Sequence, residues 1–201
     1  LQLTTRLMEL FEGRLDPGTL LLLASISGYL FVINGMDDEG EKYLNGALEI
    51  SGTELTSCYV FNMLTQSILA YHRGTHDIAV STSRRALDYL QNRKLSDEYD
   101  DMLPLDREAM RYRLTKVHSM AAMALAEKEP VGSRKRKTLM ENLLSMVNKL
   151  SDSRHKRFKF YHLCERALVY AETGSFPKAI RDVERAGVML NANKEFFTAH
   201  S

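Results

Sequence analysis

Gly28, Gly35, Gly40 and Ala47 are separated by steps of seven, five and seven, and the same steps recur in Ser67, Gly74, Ala79 and Ala86 and in Ala167, Gly174, Ala179 and Ala186. A small unit that repeats in this way cannot bury its apolar side alone and has to stack on copies of itself, which points to a helical solenoid. Each unit reads as an apolar helix, a glycine turn and a second, amphipathic helix. The first runs from Leu21 to Asn34, turns at Gly35 and continues from Asp37 to Ile50. The second runs from Val60 to Arg73, turns at Gly74 and continues to Leu90. The last runs from Phe160 to Thr173, turns at Gly174 and continues to Leu190.

Glycine at the turn adopts the left-handed conformation that ends a helix without a Cβ clash. Small residues on either side of it let the two helices approach closely. Leu44, Leu48, Ile50, Val80, Leu87, Ile180, Val183 and Met189 recur at helical spacing and are expected to fill the seam. A degenerate third unit is read from Leu114 to Ala126 and from Thr138 to Leu150, joined by an insertion, Glu127 to Lys137, that holds Pro130 and Gly132. Asp16, Pro17 and Gly18 are expected to stop an initial helix, Leu3 to Arg14. Gln91 to Asp106, with Pro104, reads as an ordered polar connector, with the first helix of the third unit starting near Leu105 and Asp106, the N-cap candidate.

The segments 31–50, 70–89 and 170–189 resemble the G-x-[YFD]-x-x-A-[IV]-x-x-[YLV]-x-x-A-L core of the tetratricopeptide repeat (TPR) family. Phe176 stands at the family's aromatic position, where the other units carry Asp37 and His76. Gly40 replaces the usual alanine, and the 39 residues between Gly35 and Gly74 exceed the family's ~34, so the array is divergent. The resemblance implies an all-α fold, a right-handed superhelical array of antiparallel helix hairpins with about nine helices. It divides a single domain, 1–201, into the end of a preceding hairpin (1–18), repeat 1 (19–52), repeat 2 (53–92), a connector (93–106), a degenerate repeat 3 (107–152) and repeat 4 (153–201). A chain that starts at Leu1 in mid-helix is expected to be a piece of a longer protein.

Composition narrows the functional classes. With 44% hydrophobic and 26% charged residues and a net charge of +1, the chain has no overall bias toward nucleic acid or acidic partners. Cys58 and Cys164 both fall in apolar helices, which argues against a disulfide framework and for the cytoplasm or another reducing intracellular compartment. No apolar run approaches the ~18–20 residues of a membrane span.

The search for catalytic patterns finds no phosphate loop, nucleophile elbow or paired cysteines at metal spacing. His72 and His76 stand four apart, but Gly74 interrupts them at the turn, and they read as surface residues. Asp37, Asp38, Glu39 and Glu41 match the acidic first turn that a helix dipole favours and lack calcium-loop spacing. His162 and Cys164, two apart on a helix, face different sides. Neither an enzymatic activity nor a metal or cofactor is expected. Two basic runs, Arg134, Lys135, Arg136, Lys137 and Arg154, His155, Lys156, Arg157, Lys159, flank one helix about 20 Å apart. They are the candidate basic contacts, read first as solvated loops, with aromatics for base stacking confined to Phe158 and Phe160.

In the register that the TPR resemblance implies, first helices line a concave face. It would present Leu22, Ser25, Tyr29 and Val32, then Phe61, Leu64, Ile68 and Tyr71, then Thr115, His118, Ala122 and Leu125, then Tyr161, Cys164, Leu168 and Ala171. Tyr29, Val32, Phe61, Leu64, Ile68, Tyr71, His118, Tyr161 and Leu168 are the expected partner contacts. Ser25, Tyr29 and Thr65 stand where chaperone-tail binders carry Lys, Asn and Arg, so a carboxylate clamp is not expected. The expected function is a protein-interaction scaffold that takes a partner peptide or helix into this apolar groove, or self-associates, because aromatic anchors in a desolvated pocket supply most of the binding energy. The alternative is a ligand- or peptide-sensing domain of a larger regulator, since the loose repeat spacing is similar in style to the helical-repeat sensor domains of MalT-type transcriptional ATPases.

Overall fold

Asp16 and Pro17 begin a helix, where the sequence reading has them end one. The Asp16 carboxylate accepts from the Thr19 backbone N–H at 3.0 Å and from its hydroxyl at 2.6 Å, while proline at the first helical position gives up an N–H that would have no intrahelical partner. The computed structural model describes residues 16–49, 56–92, 102–150 and 156–192. Among them it is all-helical, with eight helices: α1 Pro17–Ile33, α2 Asp37–Glu49, α3 Thr56–His72, α4 His76–Asn92, α5 Pro104–Glu127, α6 Arg134–Leu150, α7 Lys156–Glu172 and α8 Phe176–Ala192. The expected helix at Leu3 to Arg14, the arms of Arg154 and His155, and Ile50 lie outside the described residues.

Several starts fall earlier than periodicity suggests, because the polar first turn of a helix carries no apolar signal. Pro104 opens α5 next to the expected start at Leu105, and Asp106, expected as N-cap, lies inside its first turn. The insertion after Glu127 is shorter than expected. Gly132 turns the chain at φ 83°, the Ser133 hydroxyl accepts from the Arg136 N–H at 3.2 Å, and the basic run 134–137 is the first turn of α6.

The three repeated glycines make the same turn. Gly35, Gly74 and Gly174 have φ of 75°, 73° and 72°. Each donates to the carbonyl three residues back, and the next residue donates to the carbonyl five back: Met36 to Phe31 at 3.0 Å, Thr75 to Ala70 at 2.9 Å and Ser175 to Tyr170 at 2.8 Å. This pair of bonds satisfies carbonyls that the end of the helix leaves open. The other repeated small residues are all buried, Gly28, Ser67 and Ala167 before the turn, Gly40, Ala79 and Ala179 after it, and Ala47, Ala86 and Ala186 two turns further along the same face.

The chain falls into two compact units, one ending at His118 and the other beginning at Ser119. In the first, α1 packs against α2 and α3, and α3 against α4. Gly28 faces Leu44 while Val32 faces Gly40, so position rises on one helix as it falls on the other, and α1 and α2 form an antiparallel hairpin. A Cβ on Gly40 would collide with the Val32 side chain and lie 3.0 Å from the Gly28 carbonyl oxygen. Leu21, Ala24, Ala47 and Cys58 bring α1, α2 and α3 to one apolar centre, with Leu22 packed against it. Buried hydroxyls on the first helices answer to their own helix: Ser25, Thr65, Ser67 and Thr115 donate to the carbonyls of Leu21, Phe61, Met63 and Arg111 at 2.7–2.8 Å.

Hairpins in this unit are also tied at the surface. The acidic start of α2 meets the end of α3, His72 Nδ1 lying 2.9 Å from Asp37 and Arg73 donating twice to Glu41 at 2.7 Å. The guanidinium holds the Glu41 carboxyl below its ordinary value and is itself held above its own. These exposed ties stabilise little and weaken with salt.

In the second unit α7 packs against α8 and against α6. The buried face of α8 is small and polar: Ala179, Asp182 and Ala186. Asp182 accepts from Arg166 Nε at 2.6 Å and Nη2 at 2.8 Å, and Arg166 also donates to Asn148 of α6 at 3.3 Å. The two side chains are 15% and 3% exposed. Ile180 and Val183, expected in the seam, stand outside it, because Asp182 takes the inward position between them; Leu48 of α2 is exposed as well.

Candidate partner-docking surfaces

The concave-face residues expected from the repeat register divide between core and surface. Val32 and Leu64 are fully buried, Val32 locked against Gly40, so they hold helices together and offer no surface to a partner. Ile68 is buried as well. Tyr29 of α1 and Phe61 of α3 do come together, their ring centroids 5.7 Å apart, and the Arg113 guanidinium of α5 lies 5.1 Å over the Tyr29 ring. Burial raises the Tyr29 phenol above its ordinary pKa against the pull of Arg113. This inner face is filled by the chain's own side chains. Tyr71 is half-buried, its ring 5.4 Å from that of His76. Tyr161 is half-buried beside Phe160, and Leu168 is exposed.

His118 is a core residue. It is buried in the first unit, with Nδ1 3.0 Å from the Ser83 hydroxyl of α4. Burial, then the nearby Arg84, lowers its pKa to about 4, with the Val80 backbone carbonyl, as acceptor, and the charge of Asp88 pulling the other way. The unfolded chain, with an ordinary histidine near pH 6.5, therefore binds a proton that the folded chain refuses. The contribution of the neutral form is complete above about pH 6.5 and declines as pH falls toward 4. Stability is expected to drop by about 1.4 kcal/mol per pH unit at the steepest part of that window. Urea denaturation midpoints of wild type and His118→Gln across pH 7.5 to 4 check this, the variant having the flatter profile. Equal profiles would remove His118 as the source.

The nucleophile pair is also resolved into packing. His162 is buried, and Cys164 is half-buried with its thiol pushed above its ordinary pKa by burial and then by Glu165, opposite to an activated cysteine. Among the described residues no three His, Cys, Asp or Glu side chains gather in a way that could hold a metal, and no helix is long and apolar enough to cross a membrane.

The basic runs separate in environment. Lys135 pairs with Glu129, Arg136 donates to the Ala126 carbonyl at 3.2 Å, and Lys137 lies 3.9 Å from Glu141, while Arg134 is exposed. Of the second run Lys156 is exposed at the start of α7, and the Arg157 side chain lies outside the described residues. Lys159 has a different fate. It lines a cleft of about 640 Å³ between α7 and α8 with Arg166, Arg181, Glu184, Arg185 and Val188.

Sequence reading missed this cleft, because its cations are divided between two helices and no single run contains them. The available signal was helical spacing: Lys159, Leu163 and Arg166 on one stripe of α7, and Arg181, Arg185 and Val188 on one stripe of α8. The same helix carries a second surface. Phe176, Ile180 and Val183 are 60%, 58% and 59% exposed, and with Leu190 they follow the 4-3 spacing of one helix face. At 100° per residue this face lies nearly opposite Arg181. No family model, curated protein or solved structure matches the chain.

Proposed function

We propose that this chain is a protein-interaction scaffold, a divergent TPR-like array of helix hairpins that presents apolar helix surface to a partner protein. The observation that carries the reading is the open stripe on α8. Three large apolar side chains, Phe176, Ile180 and Val183, share one face more than half exposed, while the inward face of the same helix is made of two alanines and an aspartate. A contiguous apolar face of this kind is costly to leave in water and marks a surface meant to be covered. Two turns of 4-3 spacing match the i, i+4, i+7 pattern by which helices recognise one another. The working surface thus moves from the self-filled inner face around Tyr29 to the outside of the α7–α8 hairpin.

The test compares the chain with the variant Ile180→Glu/Val183→Glu. Both positions are exposed, so circular dichroism and the thermal midpoint are expected to stay unchanged. Crosslinking and capture from native lysate, beside sedimentation equilibrium of the purified chain, are expected to show a partner or a self-associated form with wild type that the variant loses. Identical capture and identical mass for both proteins would overturn the reading.

A further inference from the structure

We infer that the cleft between α7 and α8 is a docking site for an acidic, amphipathic helical segment of a partner protein. The inference rests on the interaction reading only in taking the partner to be a protein; the surface is a different one, on the other side of α8.

The cleft combines two chemistries. Val188, 70% exposed between charged neighbours, and the half-buried Met189 supply the accessible apolar floor, while Leu163 itself is buried. Around it stand Lys159, Arg181 and Arg185. Lys159 and Arg181 make no hydrogen bond or ion pair among the described residues, and Arg185 reaches only to 3.9 Å from Asp182, whose carboxylate is already held twice by Arg166. Glu184 is the one acid in the lining. The accessible rim is therefore positive, and its charge is not consumed by the fold.

Spacing sets the shape of the occupant. The two α8 cations are four residues apart, about 6 Å along the axis, and Lys159 belongs to α7, the other wall of the cleft. An incoming helix that lays leucine-sized side chains on the floor would bring acids at i and i+4 to the α8 edge and another to Lys159. Each such pair at a partly exposed rim adds on-rate and orientation more than affinity, while burial of the floor supplies the attraction. A nucleic-acid backbone fits less well, since its phosphates would leave the exposed Val188 unused.

Fluorescence anisotropy on the full chain tests this, with a labelled synthetic helical peptide of about four turns that alternates leucine pairs with flanking glutamates. Comparison probes are a scrambled peptide of the same composition and a single-stranded RNA of similar length. The ordered peptide is expected to bind saturably with Kd on the order of 10 µM. Lys159→Glu/Arg181→Glu and, separately, Val188→Glu should each weaken it at least about 10-fold, with unchanged circular dichroism. Added salt should weaken it too. The inference is overturned if the ordered peptide does not bind, if the scrambled peptide binds as well, if RNA binds more tightly, or if the variants leave affinity unchanged. Loss of this site with continued capture through Ile180 and Val183 would sink the cleft alone. Peptide binding that persists when lysate capture is insensitive to those two residues would sink the stripe alone.

Discussion

Asp182→Ala is expected to destabilise the second unit by about 3–5 kcal/mol, the largest single effect in the molecule. The carboxylate is 3% exposed and receives two hydrogen bonds from one guanidinium, which also reaches Asn148. Removing it takes from Arg166, 15% exposed, the carboxylate that accepts twice from it, and breaking one side of such a pair costs far more than the intact pair contributes. The thermal midpoint should fall by at least about 10 °C. Arg166→Met/Asp182→Leu, which replaces both partners by apolar groups of similar volume, should return most of that loss. Calorimetry of the three proteins decides the matter. An Asp182→Ala midpoint within about 1 °C of wild type would mean that the pair does not hold the hairpin.

Gly40→Val is expected to cost about 3 kcal/mol, although glycine inside a helix is ordinarily a weakness worth up to ~1 kcal/mol to repair. The reason is the missing Cβ. Even one added carbon would run into the Val32 side chain and come within 3.0 Å of the Gly28 carbonyl oxygen and 3.2 Å of the Val32 nitrogen, and two of these three obstacles are backbone that cannot rotate away. Gly46 sits on the same helix with nothing within 4 Å of its own added Cβ. Gly46→Ala should therefore stabilise by about 0.5–1 kcal/mol. Denaturant titration of the two variants gives opposite signs if close backbone approach is what position 40 serves. Two shifts of the same sign would show helix propensity to govern both.

The repeat of small residues made most of the local architecture legible. Glycines at 35, 74 and 174 and the buried positions seven before, five after and twelve after each of them follow from spacing alone, because a left-handed turn and a close helix contact each demand a particular residue type. Helix starts were harder to read. Asp16 and Pro17 punctuate a chain equally well at the end of one helix or the start of another, and only the Thr19 bond to Asp16 distinguishes the two.

The docking surfaces were harder still. Periodicity shows which residues share a face but not whether another helix covers it, so Ile180 and Val183 read as seam when they are outside it. Asp182 held the clue, as a charge at the same face as Ala179 and Ala186. It implied a buried cation nearby but not that Arg166 would be that cation. In the same way the rings of Tyr29 and Phe61 lie 5.7 Å apart, and the Arg113 guanidinium that covers the tyrosine could not be foreseen from a position so distant in the chain.

A polar group that is satisfied inside its own helix places no demand on whatever lies beside it. Ser25, Thr65, Ser67 and Thr115 all do this, each closing its hydroxyl onto a carbonyl four residues back. The seams they occupy therefore select neighbours by volume and contour, not by a matching donor or acceptor. Moving such a helix next to a new neighbour would break none of these four hydrogen bonds. Where a bond does cross between helices, as from His118 to Ser83 or from Arg166 to Asp182, that freedom ends, and the two helices have to be inherited together.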